Sequence, residues 1–187
     1  MERLFGRPLI TQEEMQKRIR ELGNQITADY EDKNLLMVGV MKGAFAFYAD
    51  LARAVRLLLR VDFIVVSSIP AKKGSVTGRM KVLSDMTEDV AGRDVLLVED
   101  IVDSGMTVSF LKKKLLARKP RSLKVCTLLD KPERRKVRVS IDYVGFTISN
   151  KYVVGYGLDY QNKYRNLPYI AVMDKVAEDE EMFYWQE

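Results

Sequence analysis

The stretch "VLLVEDIVDSGMT", Val95 to Thr107, sets three carboxylates, Glu99, Asp100 and Asp103, within five positions and follows them with Ser104, Gly105 and Thr107. Carboxylates this close repel one another unless a ligand with several hydroxyl donors, or a divalent cation, shares their site. The residues after them offer the opposite chemistry. Placed ahead of a helix, their backbone N–H groups and hydroxyls can converge on a phosphate at the positive end of the helix dipole. Together the two halves suit a ribose 5-phosphate, its hydroxyls on the acids and its phosphate in the turn. An acidic turn that only caps a helix is the other reading of the same spacing.

A plain nucleotide site fits less well, because neither GxxxxGK[ST] nor GxGxxG occurs and Met106, not a lysine, follows Gly105. Two lysines stand where strands should end: Lys42 with Gly43 after "LLMVGVM", and Lys131 after "SLKVCTLLD". The Lys-Gly pair suits an anion and Lys131 puts an ammonium at a strand's end, and each could equally be an ordinary turn residue. The chain has no histidine, which removes Ser-His-Asp and Cys-His nucleophiles and makes an ordinary zinc site an unsuitable reading. Proton transfer must then use Asp, Glu, Lys or Tyr.

The elements that would position these groups can be read along the chain. Thr11 and Glu14 have capping-box spacing, and Met15, Ile19, Leu22 and Ile26 recur at helical intervals. Leu35 to Met41 is an apolar run of strand length, "AFYADLARAVRLLL" reads as a helix, and Val61 to Ile69 as a second buried strand. Pro70 to Arg79, "PAKKGSVTGR", lacks periodicity and is a candidate lid, with "MKVLSDM" a short strand beyond it. "DVLLVEDIV" is a strong strand, and Val108, Leu111, Leu115 and Leu116 mark the apolar side of a helix stopping near Pro120. "SLKVCTLLD" is the next strand, with Cys126 a small core residue, and "YVGFTI", "YVVGYGLD" and "YIAVM" are β-like. The alternation predicts an α/β fold with a mostly parallel sheet, whose ligands bind beyond the carboxyl ends of the strands.

The 187 residues predict a single domain spanning 1–187; they are 47% apolar and 30% charged, with no run long enough to cross a membrane. The opening "MERLFGRPLI" lacks the layout of a secretory signal and Cys126 is the only cysteine, so a reducing cytoplasm is expected. The formal net charge of +5 suits an anionic ligand, small phosphate or nucleic acid. "LKKKLLARK" reads as a solvated helix face; "PERRKVR" is more densely basic, but nucleic acid is not the expected partner.

"VLLVEDIVDSGMT" resembles the phosphoribosyl-pyrophosphate signature of the type I phosphoribosyltransferases, and "LLDKPERR", "DYVGFTI", "NKYVVGYGLDY" and "KYRNLPYI" resemble, in order, segments of the bacterial hypoxanthine-guanine members of that family. The resemblance runs from about Leu4 to Met173. It implies the type I phosphoribosyltransferase fold: a central, mostly parallel β-sheet flanked by helices, a mobile lid loop at about 69–80 and a small C-terminal hood at about 143–187. It also implies transfer of the phosphoribosyl group from phosphoribosyl pyrophosphate to hypoxanthine or guanine, giving IMP or GMP and pyrophosphate, with Mg2+ bound.

By the same resemblance Glu99 and Asp100 hold the ribose hydroxyls directly or through the metal, and Asp103 is the general acid/base at the purine imidazole nitrogen. Asp103, Ser104, Gly105, Met106 and Thr107 cradle the 5-phosphate. Lys42 and Gly43, in a loop carrying a non-proline cis peptide, and Arg165 bind pyrophosphate. Lys131 donates to the purine 6-oxo group, Tyr152 stacks on the base, Val153 offers backbone groups at the 2-position, and Asp159 contributes to the purine site and, with Glu99 and Asp100, to the metal. Taken singly, Tyr152 and Val153 read as core and Arg165 as a surface charge. The family also implies a homodimer or homotetramer.

One position departs from the pattern. Relatives carry a Ser-Tyr pair before the lid, whereas Ser68 is followed by Ile69 here. An isoleucine supplies neither hydroxyl nor ring face for lid closure, which leaves a regulatory protein binding nucleotides or RNA with little catalysis as an alternative, alongside the same reaction with a xanthine preference.

Overall fold

A computed structural model describes residues 8–69 and 79–173. Residues 70–78 of the lid expected at about 69–80, and the acidic-aromatic tail "EDEEMFYWQE", lie outside the described residues.

Helix α1 (Gln12–Asp29) begins as its capping box predicts, the Thr11 hydroxyl accepting from the Glu14 N–H at 3.2 Å while the Glu14 carboxylate accepts from the Thr11 N–H at 2.8 Å. It buries Met15, Ile19, Leu22 and Ile26. Strand β1 (Leu35–Met41) coincides with its apolar run. Helix α2 (Phe45–Ala54) is shorter than the sequence predicts, because Val55 turns extended at ψ 124° and the Arg56 N–H passes to the Thr27 hydroxyl of α1. Leu58, read as helical, is fully exposed.

The rest of the central sheet is β2 (Arg60–Ile69), β3 (Arg79–Ser84), β4 (Asp94–Val102), β5 (Ser122–Asp130) and β6 (Tyr143–Thr147), in the order β3-β2-β1-β4-β5-β6. Only β3 runs antiparallel to its neighbour. Asp62 of β2 clamps the turn leading from β3 to β4 by accepting from the Phe63, Thr87 and Glu88 N–H groups.

The middle strands are buried on both faces, which is why they read as continuous rather than alternating apolar runs. Leu96 and Val98 of β4 join the core under α1 and α2, with Cys126 among it; Val95 and Leu97 join the core under helix α3 (Met106–Leu116). Leu111 and Leu115 point into that second core, whereas Leu116, expected on the apolar side, is more than half exposed. After β6 the chain forms β7 (Val153–Val154), which pairs antiparallel with β8 (Ala171–Val172). The expected strand "YVVGYGLD" stops after two residues because Gly155, Tyr156 and Gly157 adopt φ of 99°, 50° and 100°, left-handed backbone that a ladder cannot accommodate.

Candidate active site

The chain leaves β1 towards β2 on one side and builds β5 and β6 outward from β4 on the other, so the β1–β4 boundary is where strand order reverses and a crevice opens at the carboxyl ends. Both chemistry-bearing loops flank it. β1 runs through a cis Met41–Lys42 peptide into Lys42 and Gly43. β4 carries Glu99 and Asp100 near its end and runs to Val102, as the stretch "DVLLVEDIV" predicts, before Asp103.

Strand alternation puts Asp100 on the face of Leu96 and Val98, and Glu99 on the face of Val95 and Leu97. Asp100 lies against the β1 loop so closely that a Cβ on Gly43 would meet its Oδ2 at 1.7 Å. Gly157, at φ 100°, is held as tightly: a Cβ there would lie 2.0 Å from the Gly43 carbonyl oxygen. Glycine at both positions lets two loops and a carboxylate occupy one small volume.

Burial, reinforced by the neighbouring Asp100 charge, raises the Glu99 carboxyl well above the usual carboxylate range. Its Oε2 is buried with no hydrogen-bond partner. Asp100 is pushed up to about 6, chiefly by burial, against the opposing pull of the Ile101 N–H and the Arg165 guanidinium. Two neighbouring buried acids, one with an orphaned oxygen, suit a site for hydroxyls or a cation.

The turn after them leads into α3 through a left-handed glycine. Gly105, the residue before α3, sits at φ 82° with no side-chain cap on the helix, and a Cβ there would lie 2.7 Å from the Val137 carbonyl oxygen. A cleft of about 260 Å³ is lined by Glu99, Asp100, Asp103, Ser104, Gly105 and Thr107. Met106 opens α3, its N–H on the Ser104 hydroxyl at 3.4 Å. Asp103 is half-buried and its Oδ1 accepts from Arg134 Nε at 3.0 Å.

Lys131 is not the solvated turn lysine its type suggests. Only 7% exposed, it donates to the Lys151 carbonyl at 2.6 Å, and burial lowers its affinity for its proton. Tyr152, taken singly as core, is half exposed, its hydroxyl on the Asp159 carbonyl and its ring edge-on to Tyr160. Val153 is buried in β7. Arg165 is partly buried, donating to the Gly157 carbonyl at 2.6 Å and pairing with Asp159 at 2.7 Å. Ser68 and Ile69 pair with Met80 and Arg79 at the base of the loop outside the described residues.

Sequence reading passed over Arg134 and Arg135, which it absorbed into a basic run. Pro132 starts a single 3₁₀ turn, Pro132–Arg134, that follows Lys131 and ends on Arg134. Gly157 was passed over as well; its positive φ is legible only in the fold. Among the described residues no group of three or more His, Cys, Asp or Glu is gathered closely enough to hold a metal ion by itself. No described helix is long and apolar enough to cross a membrane.

A sequence model of the phosphoribosyl transferase domain matches residues 9–161. The bifunctional protein TilS/HprT of Listeria innocua is 50% identical over 166 residues, 88% of this chain and 25% of that protein, so the chain spans about a quarter of that relative's length. The hypoxanthine-guanine phosphoribosyltransferase of Bacillus subtilis is 47% identical over 165 residues, covering 88% of this chain and 91% of the relative. Among solved structures, a hypoxanthine phosphoribosyltransferase from Staphylococcus aureus superimposes with a TM-score of 0.86 at 41% identity, covering 90% of this chain and 91% of the other.

Proposed function

The chain belongs to the phosphoribosyl transferase family, and on that footing we propose that it transfers the 5-phosphoribosyl group of phosphoribosyl pyrophosphate to hypoxanthine or guanine, yielding IMP or GMP and pyrophosphate in purine salvage. The observation that carries this reading is the buried acid pair Glu99–Asp100 running directly into a glycine-cornered turn at the start of α3.

In this reading the ribose 5-phosphate sits on Ser104, Gly105, Met106 and Thr107 with its hydroxyls over Glu99 and Asp100, whose charge favours the cationic character that develops at the anomeric carbon. Asp103 accepts the imidazole N–H proton of the incoming purine as the nitrogen–carbon bond forms, and the carbon–oxygen bond to pyrophosphate breaks with its electron pair on the leaving group. Lys131 donates to the 6-oxo group and so rejects an amino group at that position. Tyr152 stacks on the base, Val153 meets its 2-position, and Lys42, Gly43 and Arg165 hold the pyrophosphate. The segment from residue 143 acts as a hood and the loop near 69–80 as a lid, with Ser68 and Ile69 at its base.

Magnesium fits the donor set. Its preferred ligands are hard oxygens, one or two carboxylates completed by substrate phosphates, so a cage of three acids is not needed. Asp100 with Asp159, or Glu99 through its orphaned buried oxygen, would supply those one or two carboxylates. When bound it neutralises charge on the departing pyrophosphate. The proposal includes a cytoplasmic enzyme and a homodimer or homotetramer; the outward-facing Leu58, Val61, Phe63 and Leu83 form apolar surface that assembly would cover.

The test is initial rates with phosphoribosyl pyrophosphate and magnesium, offering hypoxanthine, guanine, xanthine and adenine separately, for the parent chain and Asp103→Asn. Turnover of the first two bases, lowered about 10²–10⁴-fold in the variant while GMP still binds, is the expected result. No turnover with any base overturns the assignment.

A further inference from the structure

We propose that Arg134 is a positioning residue for Asp103, holding one oxygen of that carboxylate and leaving the other to the purine; the inference rests on the reading of Asp103 as the general base. Arg134 Nε reaches Asp103 Oδ1 at 3.0 Å, and Oδ2 has no hydrogen bond among the described residues. A carboxylate held on one oxygen keeps a fixed plane while its second oxygen stays open to an N–H donor.

Three features make this more than a chance surface ion pair, whose usual worth is small. First, Arg134 stands on a short anchored element. The 3₁₀ turn Pro132–Arg134 is closed by the Arg134 N–H on the Lys131 carbonyl at 3.1 Å and begins with a proline, which restricts its backbone.

Second, the next residues are tied to the phosphate turn itself. Arg135 donates to the Asp103 carbonyl at 2.8 Å and pairs with Asp130, both side chains being mostly buried. The N–H groups of Lys136 and Val137 both donate to the Ser104 carbonyl, at 3.0 and 3.1 Å. Residues 134–137 thus lie as a strap over Asp103–Gly105, and the near-contact of Gly105 with the Val137 carbonyl marks how closely.

Third, Lys131 is the residue that leads into this turn, and the Arg134 N–H on its carbonyl fastens the two together. The group proposed to read the purine 6-oxo position and the group that orients the base are therefore borne by one rigid piece. A purine seated correctly on Lys131 meets a carboxylate already turned towards its imidazole edge, and a purine displaced along the cleft does not.

The experiment compares Arg134→Gln, Arg134→Lys, Asp103→Asn and the double variant Arg134→Gln/Asp103→Asn, with kcat and KM measured for both substrates and GMP affinity measured by calorimetry. Arg134→Gln is expected to lower kcat about tenfold, part of the roughly 10²–10⁴ that a positioned general base contributes, with KM for phosphoribosyl pyrophosphate within about twofold. Arg134→Lys restores most of that loss. In the Asp103→Asn background Arg134→Gln costs nothing further, because a residue acting through Asp103 has nothing left to act on.

An Arg134→Gln kcat within about twofold of the parent, or losses that multiply in the double variant, overturns the proposal. So does a parallel fall of kcat, GMP affinity and melting temperature in both Arg134 variants, which marks a purely structural role. Full activity in Asp103→Asn alone removes the general-base reading instead and is distinguishable from all of these.

Discussion

Replacing Gly43 by alanine drives one added carbon into the centre of the proposed site. The new Cβ would stand 1.7 Å from Asp100 Oδ2 and 2.5 Å from its carboxyl carbon, where real Cβ contacts stay beyond 3.0 Å. Asp100 is rooted in β4 between Glu99 and Ile101, both held in register with β5, so the short side chain rotates away before the strand shifts. The carboxylate then retreats by more than about an ångström, and misplacement on that scale at a reacting centre costs on the order of 100-fold in rate. That corresponds to about 2.7 kcal/mol of transition-state stabilisation. Overpacking lowers stability by about 1–3 kcal/mol as well. Gly92 is the control: at φ 69° with no atom within 4 Å, Gly92→Ala strains the backbone by about 1–2 kcal/mol but touches nothing near the cleft. The assay is kcat/KM for phosphoribosyl pyrophosphate with hypoxanthine, beside thermal melting of both variants. Gly43→Ala retaining kcat/KM within about threefold of Gly92→Ala would refute the claim that the carboxylate must lie against this loop.

Lys131→Met removes the donor to the Lys151 carbonyl and the proposed 6-oxo contact, so KM for hypoxanthine and guanine should rise about tenfold or more while KM for phosphoribosyl pyrophosphate holds. Steady-state kinetics decide it, and equal purine KM values would exclude the lysine from base recognition. Asp62 gives a pH-dependent case: burial opposes its charge, but the Glu88, Phe63 and Thr87 N–H groups outweigh burial and hold the carboxyl below the usual range. A carboxyl lowered in the folded state contributes stability above its unfolded value, 3.8, and loses it as pH falls through the folded value. Asp62→Asn should therefore melt earlier than the parent near pH 7, by roughly 1–3 kcal/mol, with the gap closing in acid; a gap independent of pH would contradict the carboxylate's role.

The elements with one dominant periodicity were legible in the sequence. β1 and β5 coincide with their apolar runs, and the Thr11 capping box fixes where α1 begins. Helix α2 was overextended because "VRLLL" stays apolar beyond Ala54, and composition does not reveal that Val55 turns extended. The segment "YVVGYGLD" misled because Gly155, Tyr156 and Gly157 within it sit at positive φ, a tertiary demand invisible to propensity. Among the site residues, the cluster Glu99–Thr107 could be found from charge and turn chemistry alone. Lys131 could not be told from a solvated lysine, since its burial depends on Lys151 arriving from twenty residues on. Arg134 was hidden for the same reason: its partner lies thirty-one residues earlier, and a basic run looks alike whether it faces water or a carboxylate.

The meeting of β1 and β4 bears on how the molecule would acquire the proposed activity. The lysine loop follows Met41 and the acids lie beyond Val98, so the two halves of the crevice come from stretches of chain that touch only after a long loop has closed. The β4 stretch lines the ribose-phosphate cleft by itself, but the lysine loop proposed to hold pyrophosphate reaches it only on that closure. Catalytic competence should therefore appear in a refolding experiment as a late, all-or-none event, arriving with the innermost ladder of the sheet and not with the helices that form locally beforehand.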